Sequence, residues 1–222
     1  MPFNLGTVFP DFKGETDQGP IQFHEWLGNS WAILFSHPRD FTPVCTTELG
    51  RAAVLSGEFE RRGVKMIALS CDSAQSHRDW IKDLEGYCSL DGGKFPYPII
   101  ADADRTLAVK FGMLDPDELN NEGMPLTARV VYVIGPDHKV KALVAYPATT
   151  GRNFNEILRL IDSLQLVAKH NVVTPVDWQS GDKVIVPPTI AEKDLATLYP
   201  LGVETKPLPS GKGYLRYTPQ PN

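Results

Sequence analysis

The chain has 222 residues, 42% hydrophobic and 22% charged, enough to build one large domain, or one domain and a smaller appendage, around a real core. Its net charge of -5, with both signs interspersed and no lysine/arginine block, disfavours nucleic acid or an anionic membrane surface as the main partner. No transmembrane segment of roughly 20 apolar residues is present, residues 1–5 do not read as a secretory signal, and a reducing cytoplasmic compartment is the expectation.

Continuous apolar runs predict buried strands at residues 31–35, 64–69, 98–101, 130–134 and 140–145. Helical spacing covers 43–62, where Leu49, Ala53 and Phe59 fall near one face, then 74–84 and 105–111. The clearest helix is 154–170, with Phe154, Ile157, Leu158, Ile161 and Leu164 in register. Gly135-Pro136-Asp137 reads as a hairpin turn between the last two strands. Alternating strands and helices closed by a hairpin and a helix predict an α/β protein of thioredoxin-like order, a mixed central sheet flanked by helices. Beyond His170 prolines recur as far as Pro221, and one short helix fits at 191–199. The expected division is therefore residues 1–170 and a smaller C-terminal domain, 171–222, suited to a dimer arm.

Three cysteines, Cys45, Cys71 and Cys88, make no disulfide framework and no Cys-x-x-Cys pair. The five histidines show no ligand spacing with them, so no metal site is expected. There is no phosphate-binding glycine loop, dinucleotide fingerprint or haem motif, and no cofactor is expected.

One stretch carries chemistry: Ser36-His37-Pro38-Arg39-Asp40-Phe41-Thr42-Pro43-Val44-Cys45-Thr46-Thr47-Glu48. It leaves a buried strand and opens a helix, with Thr42 at the N-cap and Pro43 at the first helical position. Cys45 then lies in the first turn, where unpaired N–H groups and the helix dipole favour a thiolate. A thiolate attacks a peroxide oxygen to give sulfenic acid. The other reading of Cys45 is a small buried hydrophobe, and cap geometry alone leaves the two about level.

Pro38-x-x-x-Thr42-x-x-Cys45, with Glu48 and with Arg129 in Thr127-Ala128-Arg129-Val130, resembles the peroxiredoxin active-site pattern. Tyr146–Phe154, Thr174–Trp178 and Tyr214–Pro219 resemble the one-cysteine, peroxiredoxin-6 type, and the likeness covers nearly the whole chain. The resemblance implies an antioxidant thiol peroxidase acting on hydrogen peroxide and organic or phospholipid hydroperoxides. In it Cys45 is the peroxidatic nucleophile, Arg129 the cation that stabilises the thiolate and polarises the peroxide, Thr42 a hydrogen-bonding partner of the reacting oxygens, and Pro38 a shield against water. Glu48 holds Arg129 or lends polarity; His37 contacts the thiol or simply packs before Pro38. No cysteine follows Cys88, so resolution falls to an external thiol; the family implies glutathione, helped by a glutathione transferase, and a homodimer that sometimes associates further. Cys71 ends a core strand and reads as structural. Cys88, in the loop-like stretch 86–93, is the minor alternative as resolving thiol.

The resemblance also implies a phospholipase A2 activity with Ser30 as nucleophile, His24 as base and Asp137 as orienting acid. Here the Gly-x-Ser-x-Gly motif reads Gly28-Asn29-Ser30-Trp31-Ala32, with alanine for the last glycine, and a plain turn before a strand accounts for the same residues. A thiol–disulfide oxidoreductase is disfavoured by the missing Cys-x-x-Cys. A non-catalytic holdase on the same fold is the remaining alternative, disfavoured by the intact Cys45, Thr42 and Arg129 set.

Overall fold

A computed structural model describes residues 3–90 and 93–221. Parts of the expectations above that touch residues 1, 2, 91, 92 or 222 lie outside the described residues. The chain divides into two compact units, which meet in sequence between Phe154 and Asn155.

The first unit opens with a hairpin, β1 (Lys13–Thr16) and β2 (Gly19–Gln22), and the short helix α1 (Phe23–Leu27). Then come β3 (Trp31–Ser36), α2 (Pro43–Val54), α3 (Ser56–Arg61), β4 (Val64–Ser70), α4 (Ala74–Cys88), β5 (Ile99–Ala101) and α5 (Thr106–Lys110). A small ribbon, β6 (Leu114–Leu119) with β7 (Pro125–Thr127), precedes the hairpin β8 (Arg129–Ile134) and β9 (Val140–Tyr146). Seven strands form one mixed sheet in the order β2-β1-β5-β4-β3-β8-β9. β3, β4 and β5 run parallel, and the strands outside them pair antiparallel. β3, β4 and β8 are buried almost throughout, which is why they appear in the sequence as unbroken apolar runs. The core beneath includes Phe9, Phe23, Leu34, Ile67, Phe111 and Tyr132, packed edge to face and tilted. This is the expected thioredoxin-like arrangement.

The expected helix 43–62 is two helices. The chain breaks at Leu55 (φ -88, ψ 4), where Ser56 and Gly57, both weak helix formers, follow. α4 runs four residues further than its apolar spacing suggested, and Ser89 in the left-handed region (φ 48) ends it. Cys88 is thus the last helical residue rather than part of a loop. It lies against Gly50 of α2, where an added Cβ would come within 2.5 Å of Cys88 Sγ, so only glycine allows this close approach.

The second unit begins at Asn155 and contains most of α6 (Phe154–Lys169), β10 (Val184–Ile185), a 3-10 turn at Glu192–Asp194, α7 (Leu195–Leu198), β11 (Glu204–Thr205) and β12 (Arg216–Thr218). The three strands form a sheet in the order β10-β12-β11. Its small core is Val172, Trp178, Val184, Val186 and Tyr199, with Leu166 of α6 against it. α6 is also tied to the segment after it by Ser163–Thr174 (2.7 Å) and by Arg159 donating to the Trp178 carbonyl (3.3 Å). Those contacts explain why the boundary falls near residue 154 and not at residue 170, where the composition changes. The expected helix 191–199 reduces to the 3-10 turn and the single turn of α7, too few residues to sustain a longer helix beside Pro200. Among the described residues no helix is long and apolar enough to cross a membrane.

Candidate active site

β3 ends at Ser36, whose hydroxyl donates to the Ala128 carbonyl (2.6 Å) and accepts from the Val130 amide (3.1 Å). That pair of bonds clamps the exit of β3 to the start of β8, on either side of Arg129 in the chain. His37, Pro38 and Asp40 are buried, Arg39 is exposed, and Phe41 takes a left-handed conformation (φ 54) that turns the chain into α2. Positive φ is costly for an aromatic residue and persists where the surroundings impose it. Thr42 is the N-cap residue in extended backbone, as expected, but its hydroxyl donates backwards to the Arg39 carbonyl (2.9 Å) and makes no side-chain cap bond.

Cys45 is the third residue of α2 and is fully buried. Arg129 Nη1 donates to its sulfur at 3.4 Å. The same nitrogen donates to Glu48 Oε2 at 2.6 Å, and Glu48 shares a helical face with Cys45, three residues on. Nε and Nη2 of Arg129 both donate to the Ala148 carbonyl, at 2.9 and 2.6 Å, which fixes the guanidinium plane. A second arginine closes the set. Arg152 donates to Glu48 through its backbone amide (2.5 Å), Nε (2.9 Å) and Nη2 (2.9 Å), and to the Val130 carbonyl through Nη1 (3.1 Å). Its guanidinium also lies over the rings of Phe35 and Phe154, at 5.4 and 5.6 Å.

One carboxylate therefore stands between two buried guanidinium groups, and the sulfur adjoins the resulting cationic excess. Burial by itself raises the Glu48 carboxyl, but the charge and hydrogen bonds of Arg152, and then the charge of Arg129, outweigh it and hold Glu48 below its ordinary value. Glu48 is an anion that orients both arginines, and the arrangement can stabilise negative charge on sulfur and on an oxygen bound beside it.

Of the expected residues, Cys45, Glu48 and Arg129 are joined by hydrogen bonds; Pro38 is buried in the segment before α2 and Thr42 stands at its N-cap. His37 is fully buried, but its Nε2 bonds Asp40 Oδ1 (2.8 Å) rather than the thiol. Asp40 Oδ2 bonds His77 Nδ1 (2.7 Å) and Ser76 Oγ (2.8 Å). Burial pushes the Asp40 carboxyl up, and the bonds from His37 and His77 more than reverse that. His37, Asp40 and Asp72 bring three ligand-type atoms within 4.8 Å of one another. Those of His37 and Asp40 are already bonded to each other, and Asp72 Oδ2 accepts from the Asp40 amide (2.9 Å) and the Ser70 hydroxyl (2.7 Å). The sequence reading missed Arg152, Asp40 and His77; Arg152 sits in the Tyr146–Phe154 phrase, but nothing in its local spacing announces that it folds back onto α2.

Ser30, His24 and Asp137 are not joined by any hydrogen bond among the described residues. His24 Nε2 bonds the Phe9 carbonyl (2.8 Å), and its ring lies tilted against that of His138, centroids 4.2 Å apart. Asp137 is exposed and pairs with Lys141 (2.7 Å). Of the other thiols, burial raises Cys71 to about 11 and raises Cys88 as well.

Residues 5–143 match the AhpC/TSA family, and residues 163–200 match the C-terminal domain of 1-Cys peroxiredoxin. Peroxiredoxin-6 of Gallus gallus is 63% identical over 218 residues, covering 98% of this chain and 97% of that protein. The crystal structure of the C45S mutant of the peroxiredoxin 6 of Arenicola marina superposes with a TM-score of 0.96 at 58% identity, covering 99% of each chain. A structure of yeast mitochondrial 1-Cys peroxiredoxin, described as the basis of its thiol resolving mechanism via glutathione/thioredoxin systems, has a TM-score of 0.88 at 40% identity, covering 98% of this chain and 99% of that one.

Proposed function

This chain belongs to the 1-Cys peroxiredoxins of the peroxiredoxin-6 type and is a thiol peroxidase, and from that premise we propose that Cys45 is its peroxidatic nucleophile, with Arg129 and Thr42 as its partners at the peroxide. The observation that carries this is the Arg129 guanidinium 3.4 Å from the buried Cys45 sulfur. The Cys45 thiolate attacks one peroxide oxygen; the S–O bond forms as the O–O bond breaks. The leaving oxygen takes a proton and departs as an alcohol, or as water from hydrogen peroxide. Sulfur loses two electrons and becomes sulfenic acid, and the peroxide is reduced.

Arg129 stabilises the developing oxyanion, and Ala148 and Glu48 hold it in place beforehand, so little reorganisation is needed at the moment of reaction. The Thr42 hydroxyl spends its proton on the Arg39 carbonyl, so towards the peroxide its role is that of an acceptor. Buried Pro38 limits water at the sulfur. Arg152 is a positioning residue: it touches Glu48, and through Glu48 it sets Arg129.

Neither Cys71 nor Cys88 is suited to resolve the sulfenic acid, because both thiols are held in the protonated form. An external thiol does so, and glutathione is the one named for the yeast relative. Its thiolate attacks the sulfenic sulfur, forming S–S and releasing the oxygen as water. A second glutathione then releases glutathione disulfide and restores Cys45. A glutathione transferase is the partner that delivers the thiol, a reducing cytoplasm is the setting that supplies it, and a homodimer is the working assembly.

Hydrogen-peroxide consumption by the purified protein, with dithiothreitol and then with glutathione, tests the reading against Cys45→Ser. Loss of all turnover in the variant is expected. Turnover that survives Cys45→Ser overturns it.

A further inference from the structure

Beside the loop that leads into α2 lies an open cleft of about 230 Å³. Its lining mixes both signs of charge, Arg39 and Arg105 with Asp72 and Glu122, and includes Asn120 and Asn121. Arg39 is exposed, and its guanidinium makes no ion pair or hydrogen bond among the described residues. Arg105 is half-buried and held by neutral carbonyls, Nε on Pro125 (2.8 Å) and Nη1 on Ala103 (3.1 Å), so its charge is fixed in position without being neutralised. Its backbone sits in the left-handed region (φ 63), a strained conformation for arginine. Asp72 uses Oδ2 on Ser70 and Asp40, leaving Oδ1 without a bond among the described residues. Two guanidinium groups with unused donors, two carboxylates and two amides in one cleft match a ligand that carries both signs, and match a simple anion poorly.

Resting on the reading that an external thiol resolves Cys45, we propose that this cleft is the docking site for that thiol, a small zwitterionic peptide such as glutathione. Its two carboxylates meet Arg39 and Arg105, and its ammonium lies between Asp72 and Glu122. The cleft shares a wall with the active-site loop: the Arg39 carbonyl accepts from the Thr42 hydroxyl (2.9 Å), and the Asp40 amide donates to Asp72 (2.9 Å). A peptide anchored there is held next to the segment that turns into the Cys45 helix. The attack on the sulfenic sulfur then takes place at a raised local thiol concentration. Cys71 also borders the cleft, but burial keeps it a thiol, so it does not compete for the sulfenic sulfur.

The probe is S-methylglutathione, which carries the same charges and has no thiol to react. Its binding to the reduced full chain is measured by calorimetry for wild type, Arg39→Glu and Glu122→Lys, with the KM for glutathione and for uncharged dithiothreitol measured alongside. Both variants are expected to weaken the probe at least about tenfold and to raise the glutathione KM by a similar factor, with a much smaller rise in the dithiothreitol KM. Arg39 and Glu122 are exposed and make no side-chain ion pair among the described residues, so neither substitution removes a contact that holds the fold. Tighter binding in Glu122→Lys, or equal displacement of the probe by inorganic phosphate, would mark a general anion site and overturn the proposal. So would equal binding in all three proteins, or none in wild type. A wild type that consumes peroxide with dithiothreitol but does not bind the probe refutes the cleft alone, whereas no peroxide consumption with either thiol refutes the peroxidase reading itself.

Discussion

Cys45 and Ser30 flank the same strand, β3, and each stands in a motif with named partners elsewhere in the chain. Around Cys45 the partners converge: Arg129 arrives because β8 pairs with β3, Glu48 because it lies three residues along α2, and Arg152 because the chain returns after β9. Around Ser30 they disperse. His24 is committed to the Phe9 carbonyl, and Asp137 to a surface lysine. The difference teaches that a motif becomes a site where buried polar groups have only each other to satisfy them. Buried from solvent, Glu48 and the two arginines have no water to turn to, so they must meet. At the rim, backbone carbonyls and solvent compete for the same side chains.

The largest effect that sharpens this contrast is expected at Arg129. Arg129→Met should lower the second-order rate of Cys45 oxidation by about 10²- to 10³-fold, the usual loss on removing a preorganised donor, while His24→Ala changes it less than about twofold. Stopped-flow fluorescence with hydrogen peroxide measures both. An Arg129→Met rate within threefold of wild type would remove the proposed electrostatic role.

Next is Glu48→Gln, which leaves two buried guanidinium groups without their shared anion. A loss of about 3–5 kcal/mol is expected by urea unfolding at pH 7. The pH dependence has a definite sign. The folded carboxyl lies below its ordinary value of 4.5, so its contribution is complete above that pH and is lost as pH falls through the lower folded value. Wild type should therefore lose stability on acidification below about pH 4.5, and Glu48→Gln should lose less over the same range. Asp40, also lowered, keeps part of the acid sensitivity in the variant. Parallel pH profiles for the two proteins would show that Glu48 is not the titrating group.

Gly50→Ala follows, at about 1–3 kcal/mol, because the new methyl overlaps Cys88 Sγ. Adding Cys88→Ala should recover most of it, and a double-mutant cycle by thermal melting reports the coupling. The smallest effect is at the dispersed site. Asp137→Ala breaks a half-exposed pair with Lys141 and should cost less than about 1 kcal/mol; a larger loss in the same melting assay would mean that the β8–β9 turn depends on it.

Much of the fold was legible because the central strands are buried on both faces and therefore apolar at most positions. The β1–β2 hairpin, the β6–β7 ribbon and the short strands of the second unit were not. They are short, carry glycine, proline and charge, and owe their conformation to the strand beside them. The extension of α4 to Cys88, which lies against Gly50 of α2, was likewise decided by packing against a neighbour.

The setting of Cys45 was legible in the sequence alone: a strand, a turn, Thr42 at the N-cap, Pro43 at the first position and Cys45 in the first turn. These follow from local steric and capping preferences that act within a few residues. Only the tertiary structure decided what the thiol meets there. The Arg129–Glu48–Arg152 set joins residues 81 and 104 positions apart, and His37 turns to Asp40 and away from the sulfur. No local preference encodes those contacts; they exist because the sheet brings β3 and β8 side by side and then leaves their buried charges nowhere else to go.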